Sequence, residues 1–194
     1  DLYYGIYDAQ GNLVSAISKI DDSNKEEINI SKTLNLNLVT GNTYSMILWA
    51  DNADDVCDVD FANKVMTFNP VKANLEAYDA FYAYEAPFKV EGNMSKTIKL
   101  YRPFAQVNVG TNDIELAKAA GLELVNSQIK VKTYCKMDLV TGNVSEEADC
   151  VYAYNAIPQG EAFPVAGYDY ISMNYLLVAA DKATVDVEFS YNDG

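Results

Sequence analysis

The sequence predicts an all-β sandwich of roughly ten short strands with one short helix. The chain of 194 residues contains 15 Tyr and 7 Phe, residue types that favour strands. Apolar segments are short, several alternate with polar residues, and Gly, Asn and Pro separate them. Only one segment carries helical spacing. Because this length can bury one sizeable core, we expect a single domain over residues 1–194.

The first half of the chain reads as strands separated by turns. Segments 2–7 and 13–17 flank Gly11 and predict a hairpin. Leucines at 34, 36 and 38 alternate with asparagines, as in a half-buried strand. Residues 44–50 are almost continuously apolar and predict a central strand covered on both faces, with Trp49 largely buried. Shorter strands are expected at 65–68 and 80–84.

The second half contains the one predicted helix. Strands at 97–100 and 104–109 flank Arg102-Pro103, and the proline indicates a sheet edge or a bulge. The helix is expected at 113–120, with Asn112 as N-cap and Gly121 as the stop. Further predicted strands lie at 128–134, 151–154, 168–180 and 183–191.

The last three residues, Asn192, Asp193 and Gly194, form a hairpin-turn signal directly after a predicted strand. We therefore expect the native chain to continue, with residues 1–194 being a fragment whose C-terminal part is missing.

The charge excludes one class of partner. The chain has 14 basic and 28 acidic residues and a formal charge of −14. Nucleic-acid binding requires cations at the phosphates, so we expect no nucleic-acid partner. No apolar run in the sequence approaches the roughly 20 residues of a membrane-spanning helix.

Catalytic motifs are missing from the sequence. The chain has no His, and it contains no dinucleotide-binding, phosphate-binding or nucleophile-elbow motif. A pair of carboxylates, as in glycosidases, stays formally open because sequence spacing does not locate such a pair in space. We expect a protein that is not an enzyme and that uses no cofactor.

One acidic segment carries the oxygen ligands that calcium prefers. The alternative, which we favour, is a solvated loop whose charges discourage strand pairing. Its carboxylates are those of Asp51, Asp54, Asp55, Asp58 and Asp60.

An aromatic segment offers a second candidate site. Tyr78, Tyr82 and Tyr84 could stack on a sugar if their rings form an exposed row. We favour the interpretation that these rings pack into the core. A carbohydrate-binding module is the alternative function.

Two cysteines could form a cross-strand disulfide. A two-residue turn at Gly142-Asn143 would place Cys135 opposite Cys150. Two small buried thiols are the reading we favour, because the register depends on an assumed turn.

Three segments, taken in order, resemble the N-terminal domain of fimbrillin-like proteins, the type V pilins and related adhesins of Bacteroidales. They are a strand at 44–51 that ends in Trp-Ala-Asp, the Arg-x-x-Ala-x-Val pattern from Arg102 to Val107, and a late Tyr-Leu-Leu strand at 175–177 paired with 185–191. The turn at 139–143 also matches.

The resemblance implies a non-enzymatic pilus subunit or adhesin with a transthyretin-like β-sandwich on the extracellular side of the outer membrane. It implies a lipid anchor on the precursor, proteolytic removal of an N-terminal segment, and assembly with other subunits by strand donation. Host proteins or glycans are further expected partners. Leu2, Tyr4 and Ile6, or Tyr3 and Tyr7 on the opposite face, are the expected contacts of the leading strand.

Overall fold

The computed structural model describes residues 1–15, 18–20, 31–52, 56–70, 79–160, 162–181 and 184–192. These residues form twelve strands, one helix and three antiparallel sheets, which confirms the all-β prediction. Sheet A has the order β2 (Ser18–Ile20), β1 (Leu2–Tyr7), β3 (Thr43–Asp51), β6 (Ala80–Lys89).

Sheet B is organised around its longest strand, β8 (Asn126–Asp138). Its order is β10 (Asn155–Ala156), β8, β5 (Val65–Phe68), β4 (Cys57–Asp60). Two further strands, β9 (Val144–Val151) and β12 (Val187–Asn192), also pair with β8. Sheet C consists of β11 (Asp169–Leu177) and β7 (Phe104–Thr111).

The main core lies between the inner face of sheet A and the apolar faces of sheets B and C. Sheet A contributes Ile47 and Trp49, sheet B contributes Met66, and sheet C contributes Phe104 and Tyr175. Trp49 is 1% exposed, which confirms its predicted burial. Residues 44–49 are all buried, so the central strand predicted at this position is also confirmed.

Buried hydroxyl groups connect the sheets across this core. The Thr133 side chain in sheet B donates to the carbonyl of Leu177 in sheet C at 3.0 Å and accepts from its N–H at 2.9 Å. The Tyr152 hydroxyl donates to the Tyr175 carbonyl at 2.5 Å. The Tyr7 hydroxyl, from sheet A, donates to the Phe61 carbonyl at 2.7 Å, directly after β4. A buried carbonyl left without such a donor would be destabilising.

The helix α1 (Ile114–Ala119) lies within the predicted segment, but its N-cap is Asp113 rather than Asn112, and no side chain caps it. Gly121 ends it in the left-handed region with φ +82°. Leu116 is 74% exposed and no helical residue is buried. The helical spacing thus predicted the helix correctly. The apolar side of the helix, however, does not face the core.

Several strand predictions are wrong. Residues 34–38 and 97–100 belong to no strand, although their side chains alternate between half-buried and exposed. The prediction failed because such alternation shows that one side of a segment is buried, and it does not show that the backbone has a hydrogen-bonded partner. A strand at 151–154 does not form: β9 ends at Val151, and the Tyr152 ring is buried in the core while its backbone N–H still donates to the carbonyl of Ile129 in β8 at 2.9 Å. The acidic segment contains β4, which we expected to be a loop.

One pairing prediction is also wrong. Strand β11 pairs with β7, and β12 pairs with β8, so the late Tyr-Leu-Leu strand is not joined to residues 185–191. The hairpin predicted around Gly11 does form, but its second strand is β2, which pairs with β1 through residues 18–20. Of the predicted segment 13–17, Leu13 makes one bridge, with Tyr7, and residues 16 and 17 lie outside the described part.

We predict that Tyr152→Phe destabilises the fold by about 1 to 3 kcal/mol, because the buried Tyr175 carbonyl loses its donor. Urea unfolding followed by circular dichroism measures the change. Tyr154→Phe is the matched control, since Tyr154 is 43% exposed and its hydroxyl donates to the Ser190 hydroxyl at the surface. Equal midpoints for Tyr152→Phe and the unsubstituted protein would contradict the assigned bond.

We also predict a loss of stability at alkaline pH that depends on Tyr7. Burial and, as the smaller cause, the Asp60 carboxylate together raise the pKa of Tyr7 from 10.0 to about 12. Below pH 10 the phenol is protonated in both the folded and unfolded states, so its contribution is complete. Between the two values the unfolded chain loses the proton first, and stability falls as the pH rises. Urea midpoints across this range should decline less steeply in Tyr7→Phe, and parallel declines would refute the assignment.

Candidate functional site

Sheet A is apolar on both faces, and its outer face carries a second cluster. We call it the outer cluster; its buried residues are Ile6, Tyr44, Met46, Leu48 and Val90. The register of β1 with β3 explains its composition, because Tyr4 lies opposite Leu48 and Ile6 lies opposite Met46. No described strand of sheets B or C covers this face. Leucine and isoleucine side chains from two extended segments, 34–38 and 98–100, pack on it instead.

Segment 34–38 keeps the alternation seen in the sequence. Leu34, Leu36 and Leu38 are half-buried against the outer cluster, and Asn35 and Asn37 are exposed. The Tyr44 hydroxyl accepts from the Val39 N–H at 3.3 Å, which holds the end of the segment close to β3. The segment thus resembles a strand in its side-chain pattern but lies over the sheet face instead of extending a sheet edge.

An open groove, which we call the outer groove, lies beside this segment. Its volume is about 600 Å³. Side chains from β1, from the turn after it, from segment 35–38 and from β3 line it, among them Tyr4, Ile6, Val14, Leu36 and Leu38. Apolar groups thus alternate with polar groups such as Gln10, Asn35 and Asn37.

The expected leading-strand contacts lie on this face. Tyr4 and Ile6 line the outer groove, and Leu2 packs against the outer cluster. Tyr3 and Tyr7, the alternative pair, point to the inner face and belong to the main core. The structure therefore places Leu2, Tyr4 and Ile6 together.

A second groove, which we call the edge groove, opens at the β6 edge of sheet A. Tyr82 and Tyr101 exchange two backbone hydrogen bonds, at 2.8 and 2.9 Å. Continuing this antiparallel register would place Tyr84 opposite Lys99, but among the described residues no further pair forms. The strand edge and residues 97–99 instead enclose about 540 Å³.

Two of the three predicted sugar-stacking tyrosines lie at the edge groove. Tyr78 lies outside the described residues. Tyr82 and Tyr84 line the groove, yet both also pack against the main core, and the Tyr82 ring lies 6.4 Å from that of Trp49. Burial raises the pKa of the Tyr82 phenol, with Asp138 as a smaller cause.

Sequence reasoning missed Tyr101, which is 66% exposed at this groove. The available signal was its position beside Arg102-Pro103, where the chain must leave the sheet.

The calcium candidates have other partners. Asp51 accepts from the Trp49 indole N–H at 2.6 Å, and Asp60 accepts from the Asn63 side chain at 2.6 Å. Hydrogen bonds from Asn63 lower the pKa of Asp60. Asp58 is exposed on β4, and Asp54 and Asp55 lie outside the described residues. Within the described part of the chain, no three acidic, His or Cys side chains are grouped as metal ligands.

The register assumed for Cys135 and Cys150 is wrong. Cys150 lies opposite Val131, and the pairs on both sides of Cys135 place it opposite Glu146. The reason is the turn: the Asp138 carboxylate accepts from the N–H groups of Val140 and Thr141, so the loop contains four residues instead of two. Both thiols are free, and burial, with Cys135 as a smaller cause, raises the pKa of Cys150 to about 11.

Comparison with known proteins gives one family and one similar structure. A family model described as a family of unknown function, DUF6562, matches residues 3–194. A crystal structure of a protein from Bacteroides thetaiotaomicron, described as a "putative adhesin", superposes with a TM-score of 0.55 at 14% identity. The match covers 98% of this chain and 68% of that one. No protein with a curated description matches the chain.

None of the helices formed by the described residues has the length and apolar character needed to cross a membrane.

We predict that Leu36→Ala destabilises the fold by about 1 to 2 kcal/mol, since Leu36 is half-buried against the outer cluster. Asn37→Ala, one residue further on and exposed, is the matched control and should change the midpoint of urea unfolding little. The same midpoint for both variants would show that the segment does not cover the sheet.

Proposed function

The chain belongs to DUF6562, a family of unknown function, and we propose that it is a non-enzymatic adhesin domain of a bacterial cell surface. The fold supports this proposal, because the similar crystal structure is that of the protein described as a "putative adhesin". The composition agrees with it as well. A chain with a formal charge of −14 stays soluble at the high local density of a surface layer, and a chain without His lacks the commonest catalytic base.

We further propose that the domain is a fimbrillin-like pilus subunit, or a related adhesin, that joins other subunits by strand donation. The outer face of sheet A is the observation that carries this step. An apolar sheet face without a covering sheet needs another apolar segment, and segment 34–38 already covers part of it in extended form. The outer groove beside that segment offers room for a further extended chain.

The side chains of the groove fit such an occupant. An extended chain places alternate residues on one face. The half-buried leucines of segment 34–38 show how such a chain lies on this sheet, and Tyr4, Ile6 and Val14 continue an apolar lining next to it. A donated strand would therefore bury alternate side chains here, which gives affinity without a catalytic group.

The cellular setting that we propose follows the fimbrillin-like resemblance. The precursor would carry a lipid anchor, the mature domain would face outward from the outer membrane as part of a fimbrium, and its partners would be other subunits and a host protein or glycan. Labelling of intact cells with antibodies against this domain, and its removal by external protease, tests the location. Signal only after cell lysis would contradict it.

We predict that the protease-treated full-length protein forms ladders that resist denaturant on a gel, because a donated strand adds backbone hydrogen bonds and buried side chains along its length. Leu36→Arg should abolish the ladder, since a charge in the outer groove opposes an apolar strand. Thr33→Arg is the matched control, because Thr33 is exposed just before the segment and does not line the outer groove, so this variant should keep the ladder. Circular dichroism should show both variants folded.

If the treated protein runs only as monomer, while the precursor carries its lipid anchor, the pilus proposal fails and a non-polymerising adhesin takes its place. A ladder that both arginine variants retain would refute the outer groove as the acceptor.

A further inference from the structure

The edge groove combines an exposed aromatic ring with hydroxyl groups. Tyr101 is 66% exposed and stands across the groove from β6, where Tyr84 lies on the same sheet face, diagonally placed. Sugar rings present faces of C–H groups that pack on such aromatic side chains, while their hydroxyls need polar partners. Thr97 provides a further hydroxyl group in the lining.

These polar side chains are not used within the domain. Among the described residues, the side chains of Tyr84, Thr97, Lys99 and Tyr101 make no hydrogen bond or ion pair. Each can donate a hydrogen bond to a ligand, and the three hydroxyls can also accept one. The groove thus offers both donors and acceptors, which the hydroxyl groups of a saccharide require.

The ends of the groove limit the shape of the occupant. At one end, the backbone hydrogen bonds between Tyr82 and Tyr101 close it. At the other, Lys96 pairs with Glu85 at 2.5 Å and lies 4.8 Å from the centre of the Phe88 ring. A long extended peptide would have to break one of these closures, whereas a compact ligand would not. The volume of about 540 Å³ is that of a small-molecule site.

The charge favours an uncharged ligand. Glu85 in the lining is already paired with Lys96, and the whole chain has a formal charge of −14. That field opposes the long-range approach of an anionic sugar. Lys99 is the opposing local cation in the lining, and we assign its ammonium group to a sugar hydroxyl.

We propose that the edge groove binds a neutral mono- or disaccharide unit, with Tyr101 as the stacking face and with Tyr84, Thr97 and Lys99 as hydrogen-bonding groups. The groove lies at the edge of sheet A, whereas strand donation uses the outer groove on its face. The two proposals can therefore fail separately.

The test is a glycan array probed with the fluorescently labelled protein, followed by calorimetric titration of the neutral array saccharide that gives the strongest signal. We expect binding to at least one neutral saccharide. Tyr101→Ala should weaken it by about tenfold or more, since the stacking face is lost. Tyr84→Phe, which keeps the ring and removes the hydroxyl, should weaken it less.

Tyr191→Ala is the matched control, because Tyr191 is 49% exposed on β12, in a different sheet. It should leave the affinity unchanged, and thermal unfolding should show that all three variants are folded. Lack of binding across the array would overturn the proposal, as would a preference for anionic saccharides. Equal affinity of Tyr101→Ala and the unsubstituted protein would also overturn it, and so would displacement of the saccharide by extended peptides.

Discussion

The burial of β3 on both faces is the constraint on which the rest of this structure depends. Its inner side chains, Ile47 and Trp49, require sheets B and C on one side, and its outer side chains, Met46 and Leu48, require a cover on the other. An ordinary two-layer sandwich exposes the outer face of each sheet and makes it polar. Here the outer face of sheet A is apolar, so the chain must supply additional segments to cover it.

The three sheets are held in position by a small number of buried polar contacts. Hydrophobic packing is not directional, and by itself it would tolerate sliding of one sheet over another. Thr133 holds the Leu177 backbone by two hydrogen bonds, and Tyr152 and Tyr7 each hold a carbonyl of another element. Such bonds break when the elements shift, so the Thr133 and Tyr152 bonds hold sheet C against sheet B and the segment after β9, and the Tyr7 bond holds sheet A against the residue after β4.

Both grooves follow from segments that cover a sheet without joining it. Segment 34–38 lies on the face, and residues 97–99 separate from β6 after the bond pair of Tyr82 and Tyr101. Full strand pairing at either place would fill the space with backbone and leave no site. The domain therefore has room for ligands at the positions where its side-chain pattern is strand-like and its backbone pairing is incomplete.

The sequence by itself determined the elements whose signal is local. The apolar run at 44–50 predicted β3 and the burial of Trp49, and Gly121 predicted the end of the helix, because side-chain composition and backbone freedom act within a few residues. Leu2, Tyr4 and Ile6 could be assigned to one face for the same reason. Only the tertiary structure decided which strands pair, whether segments 34–38 and 97–100 join a sheet, and that Tyr101 and Tyr84 line the same groove. Those outcomes depend on contacts between residues far apart in the chain. The register that separates Cys135 from Cys150 also depends on a loop of four residues, which the hydrogen bonds of the Asp138 carboxylate stabilise. The turn residues alone had predicted a loop of two residues.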